Sequence, residues 1–162
     1  MPEKETIRKA RADKRAGKAA STQAGEFVKE EIEHIRRGKH GARSTKQAIA
    51  IGLSKARRAG VKLPPPPKGT ASAETRESAK RALAKRRSHT KPSARRSKAM
   101  EAALKREPHA AASHTALSRQ AHNAAKRRGP AARHRAALKA VKTKGPAGLH
   151  RAAVKAAEGR AH

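Results

Sequence analysis

Residues 26–63, EFVKEEIEHIRRGKHGARSTKQAIAIGLSKARRAGVKL, form the one stretch in which large apolar residues are both dense and periodic. On either side the chain is mostly Ala, Lys, Arg and small polar residues, so a packed core has to be built from this stretch. Ala24, Val28, Ile32 and Ile35 recur at the spacing of one face of an amphipathic helix. Phe27 lies beside that stripe. A hydroxyl of Ser21 or Thr22 is expected to start the helix by accepting a free first-turn N–H. Gly38 is expected to stop it, because glycine adopts the left-handed conformation without steric cost. Glu30, Glu31 and Glu33 are expected on a solvent-facing side, paired with Lys29, Arg36 and Arg37.

A second helix is expected from the capping box Ser44-Thr45-Lys46-Gln47 to about Ala59, ending at Gly60. Ile49, Gly52, Leu53 and Ala56 share one of its faces. Gly52 costs about 1 kcal/mol there relative to Ala. Two readings stay open, an unoptimised helix or a close approach of the first helix's backbone. Val61 and Leu63 are expected to fold back over the helix end. The expected fold is all-α: a small module of two to three helices, then a long basic tail, partly helical or disordered. The turn between the helices is longer than the three or four residues of a helix-turn-helix. A phosphate held by Arg43 and the second helix's N-terminus is the favoured reading over a major-groove reader.

Charge bounds the function. The net charge is +30. Residues 1–63 carry 17 Lys and Arg against 7 acids, and residues 64–162 carry 25 against 5. That excess predicts binding to polyanions, and the low apolar content of the second part is the composition of a chain lacking a core. Four regions follow: a basic N-terminal helix at 1–20, solvated rather than packed through Ile7; the helical module at 21–63; a polyproline spacer at 64–69; and a basic tail at 70–162. Within the tail, Gly129–Ala140 and Gly145–Ala156 repeat sixteen residues apart, each opening with Gly-Pro. Pro just inside a helix start and Gly just outside an end is the expected asymmetry. Two copies do not make a solenoid.

The cations expected to meet phosphates are Arg43, Lys46, Lys55, Arg57 and Arg58 in the module, with Ser44 and Thr45 at the helix start. In the tail they are Lys80, Arg81, Lys85, Arg86, Arg87, Arg95, Arg96, Lys126, Arg127, Arg128, Arg133, Arg135, Lys139, Arg151 and Lys155. Other chemistries lack their parts. There is no cysteine, which removes disulfides, thiolate metal sites and cysteine nucleophiles. Asp13 is the only aspartate, no phosphate-binding Gly-rich loop occurs, and no catalytic site is expected. His109, His114 and His122 do not have the spacing of a zinc pair, so no metal or other cofactor is expected. Phe27 is the only aromatic, which disfavours modules that stack bases. Duplex DNA is therefore the first expected partner and RNA, including ribosomal RNA, the second. No apolar run is long enough for a membrane span and no signal peptide is evident, so a cytoplasmic, nucleoid-associated protein is the expectation. The small core leaves room for self-association.

Residues 25–66, with Gly38-Lys39-His40-Gly41, Ser44-Thr45-Lys46-Gln47-Ala48-Ile49-Ala50-Ile51 and Ser54-Lys55-Ala56-Arg57 at their centre, resemble small basic bacterial proteins of uncharacterised function commonly labelled DNA-binding. The tail resembles the Lys/Ala-rich tail of histone H1. The resemblance implies DNA binding in a bacterial cytoplasm and supplies no catalytic residue.

Overall fold

The computed structural model describes residues 2–84 and 93–158. Among the described residues six helices follow in order: α1 Lys4–Arg15, α2 Ala20–Arg36, α3 Thr45–Arg58, α4 Ala73–Ala84, α5 Ala94–Lys105 and α6 His114–Glu158, with a short 3-10 turn at Ala110–Ala112 before α6. No strand occurs among the described residues, and the fold is all-α. The chain divides into two units, Met1–Leu117 and Ser118–His162.

In the first unit α2 and α3 pack most closely. The contact is made by small residues. Ala48, Gly52 and Ala56 are buried on α3, whereas Ile49, Ile51 and Leu53 are only half-buried. A Cβ at Gly52 would lie 2.7 Å from the Val28 Cα and 3.0 Å from the Phe27 carbonyl oxygen. Of the two readings of Gly52, the close backbone approach is the one realised. Two apolar clusters flank this contact. One joins Ile32, Ile35, Ala42, Ala48, Ala111 and Ala112, with Val28 and Leu117 against it. The other joins Ala10, Ala24, Phe27, Ala56 and Val61, with Ile7, Leu53 and Leu63 against it.

Local punctuation follows the sequence closely. Ser44 Oγ accepts the Gln47 N–H at 3.2 Å, and Gln47 Oε1 accepts the Arg43 N–H at 2.8 Å. Gly38 has φ 73°, and the Lys39 N–H closes the end of α2 on the His34 carbonyl at 3.0 Å. The Val61 N–H returns to the Ala56 carbonyl at 3.0 Å, and Val61 is buried as expected of the clip.

Four expectations are corrected. First, α1 is not a solvated helix: it packs on α2, buries Thr6 and Ala10, and sets Ile7 against the Phe27 cluster. Second, α2 starts at Ala20 after Ala19, with no side-chain cap, so neither Ser21 nor Thr22 caps it. Third, the proline run does not part a module from a tail. Its carbonyls are pinned: Leu63 and Pro64 accept from Arg57 at 3.2 Å each, Pro66 accepts from Arg76 at 3.3 Å, and α4 packs back on α3. Fourth, the packed unit does not close at Leu63. Residues 104–117 return to it, with the Gly41 N–H on the Leu104 carbonyl at 2.8 Å and the Ala42 N–H on the Pro108 carbonyl at 3.0 Å.

That return explains Gly41. A Cβ there would fall 1.8 Å from the Glu107 carbonyl oxygen, a distance only glycine avoids. Arg36 Nε donates to the Ala112 carbonyl at 2.9 Å and Thr45 Oγ1 to the Ala111 carbonyl at 2.7 Å, so main-chain acceptors of the returning segment are met by side chains of the first.

The second unit begins inside α6. Its helix is broken at Gly129 (φ 77°, ψ 168°) and Gly145 (φ 64°, ψ 176°), each followed by a proline. The sixteen-residue repeat is thus a repeated break-and-restart of helix with nearly the same glycine conformation. None of its described side chains is buried, and Leu138 (57% exposed) and Val141 (51% exposed) stand open.

Candidate nucleic-acid interface

The expected phosphate-binding residues separate into two groups by what their side chains already do. Arg57 is buried at 5% exposure; its guanidinium is spent on the Leu63 and Pro64 carbonyls, and burial pushes it below its ordinary pKa. Lys55 turns inward, with its Nζ 2.5 Å from Glu31 Oε2 and 3.9 Å from Glu30 Oε1. Thr45 is buried on the Ala111 carbonyl, and the Ser44 hydroxyl is used as the cap of α3. These four are structural. At the start of α3 Arg43, Ser44 and Lys46 are exposed, and with the Ser44 hydroxyl engaged as the cap the expected phosphate anchor there is reduced to the two cations. Arg58 is exposed at the other end of the helix.

Beyond the module the expected cations whose side chains are described are exposed. Lys80 and Arg81 lie 3.8 and 3.7 Å from Glu77, a surface arrangement that holds them only weakly. Arg95 and Arg96 stand on α5, which buries nothing. In the second unit Lys126, Arg127, Arg128, Arg133, Arg135, Lys139 and Arg151 are exposed. Lys155 lies in the last helical stretch. Lys85, Arg86 and Arg87 fall outside the described residues. Across residues 118–162 there are twelve Lys and Arg against the single acid Glu158.

The acids of α2 are placed differently from the expectation. Glu31 is fully buried and Glu30 is 6% exposed, so this is not a solvent-facing carboxylate row. Helical spacing brings Glu30 and His34 together, with Nδ1 4.0 Å from Glu30 Oε1. The loop after Gly38 brings in His40, whose Nε2 is 3.3 Å from Glu31 Oε1. From the other end of the sequence Glu3 arrives: its N–H donates to Glu30 Oε2 at 3.2 Å, and its carboxylate meets His34 Nε2 at 2.8 Å and Lys39 Nζ at 3.0 Å. Those bonds from His34 and Lys39 hold the half-exposed Glu3 carboxyl down to about 2. The spacing of the tail histidines His109, His114 and His122 gives no hint of this group. The available signal was Glu31 and His34 three apart on one helix, followed by His40 after a glycine stop.

The family described as "Family of unknown function (DUF6496)" matches residues 11–68, about a third of the chain, and its description assigns no activity. That span holds Glu30, Glu31, His34, His40 and Lys55 and ends before α4. No curated protein and no solved structure matches the chain.

Proposed function

We propose that this protein is a nucleoid-associated, histone H1-like DNA-binding protein that neutralises phosphates with little sequence preference. The observation that carries this reading is the second unit: exposed Lys and Arg on helical segments, one acid in the sequence, and no buried side chain among the described residues. A surface of that kind has no internal partner for its charge and little to read a base edge with. Neutralising phosphates releases condensed counterions, which supplies the binding free energy and makes it fall steeply with salt. The Gly-Pro breaks let successive short helices follow a backbone independently. The first unit acts as the folded anchor, adding Arg43, Lys46 and Arg58, while Lys55 and Arg57 stay inside it. No catalytic role is assigned. No described helix is long and apolar enough to cross a membrane.

The test is a fluorescence-anisotropy titration of the full chain on two duplexes of different sequence and on a ribosomal RNA hairpin, each at several salt concentrations. Equal affinities on the two duplexes, with log affinity linear in log salt and weaker RNA binding, are the expected results. Tighter binding to the hairpin at every salt would move the reading to an RNA- or ribosome-associated protein. Absence of binding to both in dilute buffer would end it.

A further inference from the structure

We propose that Glu31, His34 and His40 form a binding site for one divalent transition-metal ion of the zinc class, placed in the first unit. One donor atom from each of the three lies within 4.8 Å of those of the other two. The His34 and His40 rings are 6.3 Å apart and nearly perpendicular, at 84°.

The hydrogen bonds around the two imidazoles leave lone pairs facing inward. His40 Nδ1 sits 3.1 Å from the Gly41 carbonyl oxygen. A carbonyl can only accept, so Nδ1 carries the proton and a neutral His40 presents an unprotonated Nε2. That Nε2 faces Glu31 Oε1 at 3.3 Å without the geometry of a hydrogen bond, and Glu31 Oε1 has no donor among the described residues. A buried carboxylate oxygen and a half-buried imidazole nitrogen, both acceptors, thus oppose each other at close range. A tetrahedral ion bound at ~2.0–2.1 Å has neighbouring donors about 3.3–3.4 Å apart, which is the separation seen. His34 repeats the pattern. Its Nε2 donates to the carboxylate of Glu3, which also takes Lys39, and this leaves Nδ1 as the free nitrogen. Glu30 Oε1, 4.0 Å from that nitrogen, is a second buried oxygen without a donor and can serve as a fourth ligand or hold a bound water.

The surroundings are those of a metal site. Ligating histidines commonly donate their other N–H to a carboxylate or carbonyl, and ligating carboxylates are themselves hydrogen-bonded. Here Glu3 and Gly41 do the first, and Lys55 on Glu31 Oε2 does the second. Two carboxylates against one ammonium leave an unbalanced negative charge that a divalent ion would offset. Imidazole with carboxylate suits zinc, cobalt, nickel and copper and disfavours magnesium and calcium. The ion would staple α2 to the loop whose Gly41 holds the returning segment, so binding and folding of the first unit are coupled.

The test is titration of the full chain with Co2+, followed by visible absorption, and with Zn2+, followed by calorimetry. One ion per chain with a tetrahedral cobalt spectrum is expected. His40→Gln should weaken the tight site at least tenfold, while a His109→Gln, His114→Gln, His122→Gln variant keeps it. Should His40→Gln lose its helicity, the decisive comparison moves to the unaltered protein: Zn2+ should protect His34 and His40, and not His109 or His114, from acylation mapped by mass spectrometry. Equal protection of all histidines, a tight site that survives in folded His40→Gln, or no tight site at all would overturn the proposal.

Discussion

The two units use the same basic residues in opposite ways. In the first, Lys55 and Arg57 are drawn inside, one to neutralise buried Glu31 and the other to satisfy the carbonyls of Leu63 and Pro64. In the second, no described side chain is buried and the cations stand in solvent. A residue's sign therefore says little about its partner until its burial is known. Charge becomes binding surface only where there is no interior to absorb it. A core made largely of alanine, with Phe27, Ile32, Ile35 and Val61 as its large residues, also leaves the first unit dependent on polar contacts, whereas the second buries none of its described side chains.

That contrast can be broken most forcefully at Phe27, which is fully buried. Phe27→Ala should cost about 3–5 kcal/mol and unfold the first unit in urea followed by circular dichroism. The salt slope of DNA binding should hardly change; loss of both together would mean the two units act as one. Lys55→Met comes next. Removing one member of a buried ion pair costs up to about 3–5 kcal/mol, and because Lys55 keeps some exposure about 2–3 kcal/mol is expected. Its DNA salt slope should equal that of the unaltered chain; a slope flattened by about one unit would put Lys55 on a phosphate.

Gly41→Ala should be milder, about 1–3 kcal/mol, since it forces the Glu107 carbonyl away. Its signature is faster hydrogen exchange at the Gly41 and Ala42 amides, which donate to Leu104 and Pro108. Unchanged exchange would show that residues 104–117 are not held there. The smallest effect belongs to Glu3→Gln. The depressed carboxyl of Glu3 stabilises the fold fully above its ordinary value near 4.5, and this is lost as pH falls toward about 2. The variant should melt slightly lower at neutral pH, and the two melting curves should converge in acid. A constant difference down to pH 2 would exclude the ionic contact.

What could be read from the sequence was local. Gly38, Ser44 with Gln47, Gly60 and the Val61 clip each act within a few residues, and each is found as expected. At Gly52 the sequence left two readings open, and only the α2 backbone beside it decides between them. The buried state of Glu30 and Glu31 was not legible, because a carboxylate is written the same whether solvent or a distant lysine neutralises it. Nor was the return of residues 104–117. Its contacts are alanines and backbone carbonyls, which leave no periodicity. The packing of α1 showed only as the single large apolar residue Ile7 in a charged helix, since its fully buried residues are Thr6 and Ala10. Among the expected phosphate-binding residues, the exposure of the described tail cations follows from composition, while the engaged state of Thr45, Lys55 and Arg57 needed their partners to be seen.

The most direct measurement is the salt dependence of duplex binding by a full-length variant with Lys126, Arg127, Arg128, Arg133, Arg135 and Lys139 changed to Gln. Each lost phosphate contact should flatten the slope of log affinity against log salt by about 0.9. A slope flatter by about 5, with the urea melt of the first unit unchanged, is the expected result. An unaltered slope and affinity would contradict the assignment of DNA binding to the second unit.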